Sequence, residues 1–154
     1  MKKISYIENF DTWVKEFQFS VPIKVRFSET DMFGHLNNTV PFIYFEQARI
    51  EFLHTIGFMN DWMKKESETI PVVADLQCDF LAQMYFGDVI HVFVKVHHIG
   101  NSSIDIHYLG KKDDGSICFT GRGAMVNLNK KSGKGHPWSE EERMQLENSK
   151  KILL

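Results

Sequence analysis

Apolar residues repeat with two different spacings along this chain, and each change of spacing marks a change of element. Up to residue 18, Ile7, Phe10, Val14 and Phe17 recur at helical spacing, which predicts a short amphipathic segment covering part of the core. From 19 to 27 the period is two: Val21, Ile23, Val25 and Phe27 alternate with Pro22, Lys24 and Arg26, a strand that Pro22 places at an edge or a strand start. A long helix follows over 39–57, capped by Asn37, Asn38 or Thr39, with Pro41 in its first turn and Gly57 just past its end. Val40, Phe42, Ile43, Tyr44, Phe45, Ala48, Ile50, Phe52, Leu53 and Ile56 leave it few polar faces, the pattern of a buried helix. Glu46 and Arg49 lie three apart and predict a buried ion pair on it. Residues 58–65 read as a shorter second helix.

After Ser67 the period returns to two. Val72, Ala74, Leu76, Cys78 and Phe80 form one alternating run, and Ile90, Val92, Val94 and Val96 a second. Ile104, Ile106 and Tyr108 form a third, with Asp105 and His107 on the opposite face, where solvent or an inter-sheet contact is expected. Phe86-Gly87-Asp88, Gly100-Asn101-Ser102 and Asp113-Asp114-Gly115-Ser116 are turns between runs, the last a hairpin signal before a final strand over 117–128. Lys130 to Gly135 reads as a solvated basic loop, and Ser139-Glu140-Glu141-Glu142 as a capping box opening a terminal helix over about 139–150. Four long strands, three of them joined by short turns, predict an antiparallel meander. The parts predict an α+β domain in which a five-stranded antiparallel sheet curls around one long central helix. Residues 1–154 read as one such domain, with a core over about 19–129 and an N-terminal extension over 1–18. The sheet covers only part of the helix, so a second copy of the chain is an expected partner.

Charge and composition narrow the partners. The net charge is −2 with no basic stripe, which argues against nucleic acid. No apolar h-region follows the first residues, and no apolar run reaches the ~18–20 residues of a spanning helix. A cytoplasmic protein without a membrane partner is expected. The 13 phenylalanines fit core packing or an apolar ligand tunnel. Cys78 and Cys118 stand far apart with no C-x-x-C pattern, so they read as buried thiols, with no metal and no cofactor expected.

The chemistry concentrates between strand and long helix. Asp31 and His35 sit where the strand hands over to a helix N-terminus, where backbone N–H groups are free and the helix dipole favours developing negative charge. That suits chemistry on a carbonyl. The same residues also carry plainer readings: Asp31 as an Asx turn or cap, His35 as a bond within the turn, Asn37 and Asn38 as turn and cap holders, Gly34 as a conformational necessity.

The run Arg26-Phe27-Ser28-Glu29-Thr30-Asp31-Met32-Phe33-Gly34-His35-Leu36-Asn37-Asn38, followed by Phe45-Glu46-Gln47-Ala48-Arg49, resembles the hydroxybenzoyl-CoA thioesterase type of the hot-dog superfamily. The resemblance extends over roughly 21–128 and rests on D-x-x-G-H-x-N-N combined with F-E-x-A-R. It implies hydrolysis of an acyl-CoA or acyl-carrier-protein thioester by a homodimer or homotetramer with sites at the subunit interface. It implies Asp31 as the catalytic carboxylate, base or nucleophile, and a backbone N–H at or near Asn38 as the group that polarises the carbonyl. His35 is the second catalytic candidate, Gly34 and Phe33 belong to the substrate-binding turn, and Glu46 and Asn37 are secondary candidates. Plant acyl-carrier-protein thioesterases carry an Asn where this chain has Phe33, which separates His35 from their pattern. Hot-dog hydratases space Asp and His five apart with Asn and Pro between, and here the spacing is four with neither. A non-catalytic acyl-CoA-binding domain is the third reading, and the retained Asp31 argues against it.

Overall fold

Alternating β-branched residues build three long neighbouring strands in the computed structural model, which describes residues 2–151. These are β4 (Val89–Ile99), β5 (Ser103–Lys112) and β6 (Ile117–Asn129), antiparallel and joined by tight turns. The turn before β6 places Gly115 at φ +84, a conformation that costs a glycine little. β1 (Phe19–Lys24) adds to β4, with Phe19 opposite Val94. Along the far side of β6 lie β2 (Thr69–Val73) and β3 (Gln77–Phe80), both antiparallel to it.

The curled sheet therefore has six strands rather than five. The single run expected over 72–80 breaks at Asp75. Its carboxylate accepts a hydrogen bond from Ala124 N–H at 2.7 Å and pairs with Arg122 at 3.2 Å. A side-chain acceptor takes the place of a ladder bond there, and the strand is interrupted. β1 also ends early. Beyond Lys24 the Glu29 carboxylate accepts from Arg26 N–H at 2.9 Å and closes a 3-10 turn over Phe27–Glu29.

α2 (Val40–Thr55) lies against the inner face of the sheet and buries Val40, Pro41, Tyr44, Phe45, Ala48, Arg49, Phe52 and Leu53. These pack on Ile90, Val92, Val94, Ile104 and Ile106. Phe45 stacks on Tyr108 with ring centres 4.3 Å apart, over Gly121, where a Cβ would run into the Phe45 ring. The helix is not buried all round: Ile43 and Ile50 are 56% and 45% exposed, beside exposed Glu46, Gln47 and Glu51. The expected Glu46–Arg49 pair does not form. Arg49 turns into the core and donates to the Tyr108 hydroxyl at 3.1 Å, while Glu46 faces out.

α1 (Phe10–Lys15) packs on the opposite, outer face of the sheet, where Trp13, Phe17 and Leu109 form a separate apolar cluster. His107, on the face expected to meet solvent or an inter-sheet contact, is completely buried beneath this cover. α3 (Met59–Trp62) is a single turn. α4 (Glu140–Asn148) opens on a capping box in which Ser139 and Glu142 satisfy each other's backbone N–H groups. Among the described residues no helix is long and apolar enough to cross a membrane.

Candidate active site

The connection from β1 to α2 is a closed loop tied by its own backbone. Asn37 N–H donates to Glu29 C=O at 2.8 Å, and Asp31 N–H to His35 C=O at 2.8 Å. Gly34 N–H returns to Asp31 C=O at 3.0 Å, and Gly34 takes φ +77 to let the chain reverse. The Asp31 carboxylate closes the same loop, its Oδ1 accepting from Phe33 N–H at 2.9 Å and His35 N–H at 3.2 Å. Among the described residues no hydrogen bond reaches Oδ2. Asp31 is thus an Asx-turn residue whose second oxygen stays available.

The loop is pinned from two sides. Leu36 N–H donates to Met84 C=O at 2.7 Å, and the His35 ring meets Tyr85 edge-on at 5.3 Å. Beneath it, Glu29 is buried and accepts from Arg26 N–H, from the Arg26 guanidinium at 3.3 Å and from the Tyr44 hydroxyl at 2.8 Å. Burial alone would raise the Glu29 carboxyl, but these donors together outweigh it and hold the group below the usual carboxylate range. Burial first, and then the Glu29 carboxylate, push the Tyr44 phenol up, so it stays a donor. Glu29 was not a candidate from sequence; its signal was the three-residue spacing from Arg26, hidden in a stretch that reads as a polar turn.

Asp31, His35, Leu36 and Asn38 form one wall of a cleft of about 370 Å³, and residues 80–84 form the other. Asn38 is exposed, and among the described residues its backbone N–H donates to no protein acceptor. The cap of α2 is one of the three expected residues. Thr39 holds the cap position with helical dihedrals and no side-chain bond, and Asn37 Oδ1 instead accepts from the Thr39 N–H and hydroxyl at 3.0 and 2.9 Å. Asn37 is therefore a turn holder. Phe33 is 73% exposed and contributes its N–H to Asp31, and neither Phe33 nor Gly34 lines the cleft. Glu46 lies on the outward face of α2 and does not line it either. The wall at 80–84 was missed from sequence, because Phe80 reads there only as the end of an alternating run and the loop over 81–84 that follows carries no periodic signal.

The remaining chemistry-bearing groups lie elsewhere. Cys78 and Cys118 are free, and burial pushes their thiols up to about 12 and about 11. Among the described residues no three His, Cys, Asp or Glu side chains converge as a metal site.

Comparison with known proteins agrees with this architecture. The family model described as "Thioesterase-like superfamily" matches residues 25–146. The uncharacterized protein YsmA of Bacillus subtilis is 43% identical over 144 residues, 93% of this chain and 95% of that one. A predicted thioesterase from Bacillus stearothermophilus superposes with a TM-score of 0.75 at 32% identity, covering 85% of this chain and 95% of its own. A Thermus thermophilus thioesterase complexed with coenzyme A and Zn superposes with a TM-score of 0.74 at 29% identity, covering 88% of this chain and 97% of its own. With this match over most of its length, the chain belongs to the thioesterase-like superfamily and has the hot-dog fold.

Proposed function

We propose that this protein hydrolyses the thioester of an acyl-CoA, or of an acyl group on a carrier protein, to the free acid and thiol. One observation carries the reading: Asp31 and Asn38, whose N–H donates to no acceptor among the described residues, line the same cleft at the start of a helix. A thioester carbonyl seated there meets a base and an electrophilic donor at once. In the general-base form, Asp31 Oδ2 takes a proton from a water as its oxygen adds to the carbonyl carbon. The carbonyl oxygen becomes an oxyanion received by the Asn38 N–H, aided by the positive end of α2. The intermediate then collapses, the C–S bond breaks, and the thiolate leaves with little need of protonation. The nucleophilic form has the same carboxylate attack the carbonyl directly, followed by hydrolysis of the anhydride. His35 positions the turn, its N–H on Asp31 Oδ1 and its ring on Tyr85. The coenzyme A held by the Thermus relative supports a CoA thioester as substrate. A homodimer or homotetramer fits the exposed apolar residues Ile43 and Ile50 on α2.

The test is thiol release from a panel of acyl-CoAs and acyl-carrier proteins by wild type and Asp31→Asn, which keeps the side-chain shape. Loss of ~10²–10⁴ in kcat is expected for the variant. Undiminished turnover in Asp31→Asn removes the assignment, and absence of thiol release by wild type from every substrate removes the reaction.

A further inference from the structure

A second cavity adjoins the cleft. It is a groove of about 560 Å³ lined by Lys2, Phe10, Phe80, Leu81, Gly115 and Ile117. Phe80 and Leu81 also line the cleft that holds Asp31, so the two spaces meet across this pair. Phe80 is 49% exposed, an aromatic ring left open between them. The opposite wall comes from the N-terminal extension, which lies outside the 25–146 family match.

That extension is held in place at several points. The Tyr6 hydroxyl is 2.8 Å from the Thr120 hydroxyl and donates to Asp79 at 3.4 Å. The Trp13 indole donates to His107 at 2.8 Å, and Phe10 packs on Trp13 with ring centres 5.8 Å apart. Among the described lining residues Lys2 alone is charged, and its ammonium is paired with Asp79 at 3.3 Å. The other side chains in the lining are apolar, so the groove suits a hydrocarbon and offers a polar arm few partners.

We propose that this groove, walled by Phe10 of the N-terminal extension and reached across Phe80 and Leu81, receives the distal hydrocarbon of the acyl group and sets acyl-length preference. The proposal rests on the reading that the thioester carbonyl sits beside Asp31. The carbonyl end occupies the cleft, the chain passes over Phe80 and Leu81, and the tail lies against Phe10 and Ile117. Each methylene removed from water there strengthens binding by about fourfold.

The test uses non-hydrolysable S-alkyl-CoA thioethers, from S-methyl to S-dodecyl, titrated calorimetrically into wild type, Phe10→Ala and Phe10→Trp. Wild-type affinity is expected to rise with alkyl length. Phe10→Ala loses about tenfold or more at the longest chain, the equivalent of about two methylenes, and leaves S-methyl-CoA unchanged. Phe10→Trp keeps an apolar ring against Trp13, guarding against simple unfolding, and shortens the chain length at which affinity stops rising. The same length dependence in all three proteins overturns the proposal, as does a wild type indifferent to length. Thiol release by the same proteins separates the two readings. Length dependence lost in Phe10→Ala while Asp31→Asn still turns over acyl-CoA leaves the groove standing and removes the Asp31 assignment. Length dependence intact in Phe10→Ala while Asp31→Asn is inactive removes the groove alone.

Discussion

Trp13 donates its indole N–H to Nδ1 of His107 at 2.8 Å, joining residues 94 positions apart and setting the tautomer of a completely buried imidazole. Indole is a donor only, so Nδ1 carries no proton and Nε2 donates to Asp105 at 2.9 Å. Asp105 in turn accepts from Arg122 at 2.5 Å, and Arg122 reaches Asp75 at 3.2 Å, at the break between β2 and β3. The His97 ring stacks on His107 with centres 4.0 Å apart. The extension is thereby wired into the sheet through a neutral histidine.

Acid should loosen this contact. Burial pushes His107 below its ordinary value, with Asp105 pulling it up and Lys95 and Arg122 pushing it down. Burial, and then His107 and Lys95, push His97 down to about 4. Both groups bind more protons unfolded than folded, so their contribution is complete above the ordinary histidine pKa and is lost as pH falls below it. The thermal midpoint is expected to fall between about pH 6.5 and 5, before carboxylates titrate, and to fall less in His107→Gln. A scan of unfolding midpoint against pH checks this, and an identical slope in both proteins would remove His107 as its source. In Trp13→Phe the ring that packs on Phe17 remains but the donor is lost, which should cost ~1–3 kcal/mol at neutral pH by denaturant titration.

Tyr44→Phe should act on both stability and turnover. The hydroxyl it removes donates to buried Glu29, which anchors the turn bearing Asp31 through Asn37. Leaving Glu29 with one donor fewer should cost ~1–3 kcal/mol in urea unfolding. The kcat for thiol release should fall as well, with KM less affected. Wild-type kcat in Tyr44→Phe would show that the turn does not depend on this bond.

Gly121→Ala should be costly although glycine lies there in ordinary strand conformation. The added Cβ would meet the Phe45 ring, which is fully buried and stacked on Tyr108. Overpacking a site that cannot yield costs ~1–3 kcal/mol. Gly133→Ala is the contrast: nothing lies within reach of its Cβ, and the penalty comes from its φ of +67 instead. Urea midpoints of the two variants, with near-ultraviolet dichroism on Gly121→Ala, distinguish packing from backbone strain.

Ile43→Glu and Ile50→Glu test association. Both residues stand exposed on α2, where a second copy would bury them. Light scattering is expected to show an assembly for wild type and a smaller mass for the double variant. A wild-type monomer would remove the oligomer from the proposal.

The sequence by itself determined what depends on neighbours along the chain. Period-two runs placed β4, β5 and β6, the apolar run from Val40 to Leu53 placed α2, and Ser139 with Glu142 placed the start of α4. Asp31, His35 and Asn38 were legible together because one short loop carries all three into the cleft. Tertiary structure decided what depends on residues far apart. Asp75 breaks a strand because it meets Ala124, 49 positions away, and Arg49 leaves Glu46 for Tyr108, 59 positions away. The cleft wall at 80–84, the burial of His107 under Trp13 and the groove behind Phe80 exist only once the sheet has curled. A polar group takes whichever partner the closed fold brings near, and hydrophobic period carries no record of that choice.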